Sequence, residues 1–248
     1  MSARPFSHLL GLVSGLLLAA VPGAAWAADY DPFDGYGNHS LRLGLSGDLV
    51  SGTLPATGGA TYVQKTFMAE FNAMAFSDPT VFGTLLGVDF DVALGARVVD
   101  RPAGVTGAED AIDGVKFAAR IDFEFTYDLV RWKIHALRQR LILTAGGGAD
   151  YNAHPWQLLN GGESGWRAYP LLGLHVQSSI GSRLMLDVVY RLVATQSKDD
   201  VGAEHRVEVA LVIKPVVLGV HFHTLSLLKD PSGPLAQNQL GAFVAWGF

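Results

Sequence analysis

The chain contains no cysteine among its 248 residues. That excludes disulfides, thiol nucleophiles, thiolate metal sites and lipid attachment through an N-terminal cysteine. Charge is scarce: Asp, Glu, Lys and Arg together make up 17% of the residues, and the net charge is −5. A nucleic-acid partner would call for a basic surface, and none is visible. Long hydrophobic runs are also few. The only one, Leu9 to Val21, spans about 13 residues, short of the ~20 that a membrane-spanning helix needs. Hydrophobic residues nevertheless reach 49%, dispersed along the chain, which is an apolar-rich and charge-poor balance for a soluble domain.

The first 27 residues read as an export leader. Arg4 supplies the positive start, Leu9–Val21 the apolar core, and Pro22-Gly23 breaks it ahead of the cleavage signal Ala25-Trp26-Ala27. The expected mature chain begins at Ala28 and forms a single domain over 28–248, with Ala28–Asn38 as a lead-in.

Apolar residues recur at every second position through most of that domain. In the stretch Val115–Tyr127, Phe117, Ile121, Phe123, Phe125 and Tyr127 share one side, while Lys116, Arg120, Asp122 and Glu124 share the other. A helix would scatter these two sets around its circumference, whereas a strand separates them. The same template gives ten strands, near 40–50, 61–76, 83–99, 114–128, 136–151, 165–179, 183–195, 203–214, 216–228 and 237–248, with eight or twelve as alternatives. Connections alternate between long segments rich in Gly, Pro, Asp and Ser and short turns such as Ser77–Thr80 and Lys214-Pro215. The connection at 129–135 is intermediate and holds the basic run Arg131-Trp132-Lys133. A soluble β-sandwich would also alternate, but its strands are shorter.

The last strand is the most specific feature. Leu240, Ala242, Val244, Trp246 and Phe248 fall on one face, and the sequence ends on the aromatic residue. This resembles the terminal strand of Gram-negative outer-membrane β-barrels. The resemblance implies an all-β fold, a closed antiparallel transmembrane barrel, with Leu240, Val244, Trp246 and Phe248 as the signal read by the barrel-assembly machinery. It also implies an outer-membrane address, with lipid as partner and the long loops outside. Tyr127, Tyr151 and Trp166 then read as interface aromatics. A monomer without cofactor is expected.

Fixing the outward face assigns the inward one. Glu70, Asp89, Asp91, Arg97, Arg120, Asp122, Glu124, Arg138, Arg140, Arg167, Asp187, Arg191, Arg206 and Glu208 form the expected lumenal charge network. Acids and bases interleave, so pairing across a narrow bore is expected to close it. The glycines around Gly146-Gly147-Gly148 mark bends or room for side chains. Asp89 and Asp91 share a face, as do His221 and His223. These four are the weak catalytic candidates, and they are similar to the Asp pair and Asp–His pair of the omptin proteases, also ten-stranded. The Asp that should precede the histidine is lacking. The two histidines also have a spacing suited to two metal ligands, with His175 or Asp187 as a guessed third, but no metal site is assigned. Ser226 beside His223 is the only pairing suggesting a lipid hydrolase.

The expected role is structural or binding through the outer loops, or a narrow channel for small solutes. The alternative is an outer-membrane enzyme, peptidase or lipid hydrolase. If the last strand is the assembly signal, Phe248→Asp should leave export intact and lower the amount inserted, measured by outer-membrane fractionation; unchanged surface levels would contradict that reading.

Overall fold

The computed structural model describes residues 39–54, 60–76, 86–100, 114–135, 137–151, 166–180, 184–197, 200–227 and 237–247. The leader, the lead-in and Phe248 lie outside the described residues. Ten strands follow in chain order: β1 (His39–Leu54), β2 (Ala60–Phe76), β3 (Leu86–Asp100), β4 (Gly114–Ile134), β5 (Leu137–Tyr151), β6 (Trp166–Ile180), β7 (Leu184–Ser197), β8 (Asp200–Ile213), β9 (Val216–Leu227) and β10 (Gln237–Gly247). Each strand pairs antiparallel with the next, and β1 closes the sheet on β10. The architecture is therefore one closed ten-stranded barrel, not a two-sheet sandwich.

Side-chain alternation explains the closure. In β1, Leu41, Leu43, Leu45 and Leu49 alternate with Arg42, Gly44, Ser46 and Asp48. Leu43 is 49% exposed, whereas Asp48 is buried. The same alternation runs along every strand, with one shift late in β4, and Val115, Phe125, Leu172 and Leu240 are among the large apolar side chains left exposed outside. A one-residue slip of any strand would send its charges outward and its leucines inward, so the register is strongly specified. Leu43 sits opposite Phe71 on one neighbour and Trp246 on the other, which locks the seam.

The start of β1 and the end of β10 lie at one rim, where Arg42 pairs with Gly247. That terminal rim carries connections 77–85, 135–136, 181–183 and 214–215. The opposite, loop rim carries 55–59, 101–113, 152–165, 198–199 and 228–236. Two connections differ from the sequence expectation, while the expected turn Ser77–Thr80 lies outside the described residues. β7 and β8 stay paired as far as Ser197 opposite Asp200. The intermediate connection after β4 is strand, with Trp132 opposite Gln139 and the turn reduced to 135–136. Two things obscured this last element. An extra residue, Leu129, forms a bulge between Asp128 and Val130 that shifts the alternation by one. His135 then takes the left-handed conformation, φ 55°, a position where glycine would have signalled the turn.

Small apolar layers bracket the interior. Met185, Ala210, Val212, Val217, Phe243 and Ala245 pack together toward the terminal rim, and Met68, Ala93 and Ala118 form a layer higher up. Near this upper layer β2 and β3 approach closely: a Cβ on Gly95 would lie 1.8 Å from the Phe67 carbonyl oxygen. Gly95→Ala should therefore displace backbone and destabilise the barrel by about 1–3 kcal/mol, read as a lower urea midpoint for refolded protein in detergent; an unchanged midpoint would show that the strands separate freely.

Candidate functional site

The interior is organised around four carboxylates on two adjacent strands. Asp89 lies directly opposite Glu124, and Asp91 directly opposite Asp122. Like charges in facing positions repel, so β3 and β4 alone could not hold this patch. Arginines from three strands counter it. From β7, Arg191 reaches Glu124 at 2.5 Å and Asp89 at 3.5 Å. From β8, Arg206 donates to Asp122 at 3.4 Å. Within β4, Arg120 lies 3.5 Å from Asp122, 3.7 Å from Asp91 and 4.0 Å from Glu70. The pairs from β7 and β8 cross the barrel axis.

Above this patch a second group surrounds Tyr169. Its hydroxyl donates to Asp122 at 2.6 Å, and the guanidinium carbons of Arg167 and Arg206 lie 4.8 and 4.9 Å from its ring centre. Arg167 binds Asp150 through Nε and Nη2 and reaches Glu204 at 3.0 Å; Arg206 binds Glu204 at 2.8 Å. Glycine makes this possible: a Cβ on Gly148 would sit 2.0 Å from Asp122 Oδ1 and 2.7 Å from the Tyr169 ring. The triple glycine thus clears space for an ion-paired ring system, the second of the two roles the sequence allowed.

Below the patch, Arg42 binds Asp187 at 2.9 Å and lies 3.8 Å from Glu208. Arg140 donates to Asp128 at 2.8 Å near the terminal rim, and Arg97 meets Gln64 at 3.4 Å near the loop rim. Arg138 is half-buried at the start of β5. A cavity of about 50 Å³ remains between these groups, lined by residues including Arg120, Arg191, His175 and Phe243. That is room for a few water molecules.

The catalytic candidates separate on inspection. Asp89 accepts from Asn72 at 2.7 Å as well as facing Arg191, while Asp91 faces Arg120. His221 bonds Asp48, which in turn accepts from Gln239 at 2.9 Å, so the missing acid of an Asp–His pair comes from β1. His223 stacks on His221 with ring centres 5.1 Å apart and lies 3.8 Å from Glu204. The two histidines thus face different carboxylates. Asp48, Arg42, Glu204 and Tyr169 were missing from the sequence-level network, although each has inward parity in a strand whose alternation is plain.

Of the interface aromatics, Tyr151 and Trp166 face each other across β5 and β6 with ring centres 5.1 Å apart, and Phe117 joins them at 6.1 Å. Tyr127 is outward and opposite Leu86, the first residue of β3, but β4 continues seven residues beyond it. It is therefore not at a strand end. Leu240, Val244 and Trp246 share the outward face of β10, opposite Phe222, Leu218 and Val216.

No protein-family model matches this chain, and no curated relative does. Several solved structures resemble it. The transport unit of the autotransporter AIDA-I from Escherichia coli has a TM-score of 0.45 at 7% identity, covering 98% of this chain and 97% of that one. An outer membrane channel from Pseudomonas putida F1 gives 0.44 at 10% identity, covering 89% and 98%. The outer membrane protease OmpT from Escherichia coli gives 0.35 at 11% identity, covering 84% and 94%. These proteins are described by different tasks, and at such scores none of those tasks carries over.

The geometry ranks the arginines. Arg206→Met removes the guanidinium 2.8 Å from buried Glu204 and 3.4 Å from buried Asp122, leaving Arg167 and Arg120 to counter them, and should cost about 3–5 kcal/mol. Arg120→Met should cost less, because that side chain is 22% exposed and its nearest carboxylate is 3.5 Å away. Urea titration of both variants in the same detergent checks the order; the reverse order would contradict it.

Proposed function

We propose that this chain is an outer-membrane barrel of a Gram-negative envelope that serves as a closed anchor, displaying the segments of its loop rim. The membrane reading is supported by outward parity: each strand contributes large apolar side chains to a continuous exposed surface, far beyond the patches soluble monomers tolerate. The described strands run from 11 to 21 residues, enough to cross a bilayer at the usual tilt. Lipid is then the principal partner, and the C-terminal strand is the segment offered to the assembly machinery. The leader would deliver a monomer to that machinery.

The observation that carries the closed reading is the set of ion pairs spanning the axis. Arg42 to Asp187, Arg191 to Glu124 and Arg206 to Asp122 each join strands that are not neighbours. They leave a cavity of about 50 Å³, where a diffusion channel would require a continuous bore. The same enclosure weighs against the peptidase or lipid-hydrolase alternative. Asp89, His221 and Asp48 are buried among their partners, and a peptide or acyl chain could not reach them without breaking the network.

Planar-bilayer recording of the purified chain should give no discrete conductance steps, and regular steps would favour the narrow-channel variant. Peptide or phospholipid turnover abolished by Asp89→Ala or His221→Ala would establish the enzyme instead. The lipid-facing assignment has its own check: Phe123→Arg should destabilise the bilayer-inserted barrel by up to about 2–4 kcal/mol, measured by folding into liposomes. No loss would mean that Phe123 does not face lipid.

A further inference from the structure

We infer that the barrel interior holds a divalent transition-metal ion, of the zinc class, on Asp89, Glu124 and His175. These residues come from β3, β4 and β6, and one ligand atom of each lies within 4.8 Å of the others. All three are buried, at 2%, 1% and 1% exposure. Neither ring nitrogen of His175 has a hydrogen-bond partner, and Glu124 Oε2 has none. Burying an imidazole with both nitrogens unsatisfied is costly. Its ring lines the central cavity with Asp89.

Charge points the same way. Asp89, Glu124, Asp187 and Glu208 share two guanidiniums, Arg191 and Arg42. Carboxylates outnumber guanidiniums around the whole cavity too, where Glu70, Asp91 and Asp122 join Arg120 and Arg206, and a bound cation would meet that excess of acid. Arg191 does not block the site. It holds Glu124 through Oε1, leaving Oε2 unpartnered, and its contact with Asp89 is a long 3.5 Å.

The backbone prepares the space. β5 lies between β4 and β6 and sets Gly146 opposite Glu124, so no side chain there intervenes between Glu124 and the β6 side. On β6, Gly173 precedes His175 on the same face, and a Cβ there would lie 3.3 Å from Glu124 Oε2 and 2.3 Å from Thr144 Oγ1. Two carboxylates and one imidazole, without thiolate, suit a borderline ion that accepts nitrogen and oxygen, with water from the cavity as a fourth ligand. Ligand atoms about 2.1 Å from one ion lie at most about 4.2 Å apart, so side-chain adjustments of an ångström or less bring the set within bonding range. The ion would tie β4 to β6 across β5. Such a buried site fills during folding, not afterwards.

The untagged mature chain is refolded into detergent with Zn²⁺, freed of loose metal by chelator and gel filtration, and analysed for bound zinc. About one equivalent per folded chain is expected, with folding scored by heat-dependent migration on SDS gels. His175→Ala and Glu124→Gln should lose the equivalent, and His205→Ala, on the outer wall beside Tyr190, should keep it. Co²⁺ in place of zinc should give visible absorption that His175→Ala abolishes. Folded wild-type protein without bound metal overturns the proposal, whether or not the variants fold. So does a folded His175→Ala variant that retains the full equivalent.

Discussion

Everything inside this barrel follows from one electrostatic constraint: Asp89, Asp91, Asp122 and Glu124 face each other in like-charged pairs on adjoining strands. Two neighbouring strands cannot hold four buried carboxylates together, because repulsion and lost hydration would both oppose it. The answer is long-range. Guanidiniums on β7 and β8 extend across the interior, so the acids on one wall are partly countered from the far wall. Barrel closure and ion pairing are thus mutually dependent, since the pairs form only when β1 has met β10 and brought the far wall within reach.

The constraint also explains where bulk is absent. Gly148 gives way to Asp122 and Tyr169, and Gly173 to Thr144 and Glu124. Interior volume in a narrow barrel is fixed by strand number and tilt, so large ionic groups require that neighbouring inward positions carry little. The aromatic ring of Tyr169 between Arg167 and Arg206 uses the same space twice, accepting two cations on its faces and donating a hydrogen bond from its edge. With the axis crossed in this way, a cavity of about 50 Å³ is left between the ionic groups.

Much of the fold was legible because alternation is a local signal. Strand existence, strand number and the sorting of Arg120, Glu124, Arg191 and Arg206 to one face all follow from parity within single segments. What parity could not show is which acid meets which base, since that depends on register summed around ten strands. The Asp48–His221 bond illustrates this: the sequence separates the two residues by 173 positions, and only the seam between β1 and β10 unites them. Features that break parity were misread for the same reason. The bulge at Leu129 hid the hairpin of β4 and β5, and the polar tips of β7 and β8 looked like loop.

The central claim is that the ion-paired interior is sealed, and the absence of cysteine makes it directly measurable. A single cysteine is introduced at Val193, which is wholly buried on the inward face of β7, and the bilayer-inserted barrel is exposed from both sides to a small, charged thiol reagent. A sealed interior predicts no modification until the barrel is unfolded by heating, with an exposed control such as Val115→Cys in detergent reacting at once. Rapid modification of the Val193 cysteine in the folded, inserted barrel would show a solvent-filled path and contradict the account.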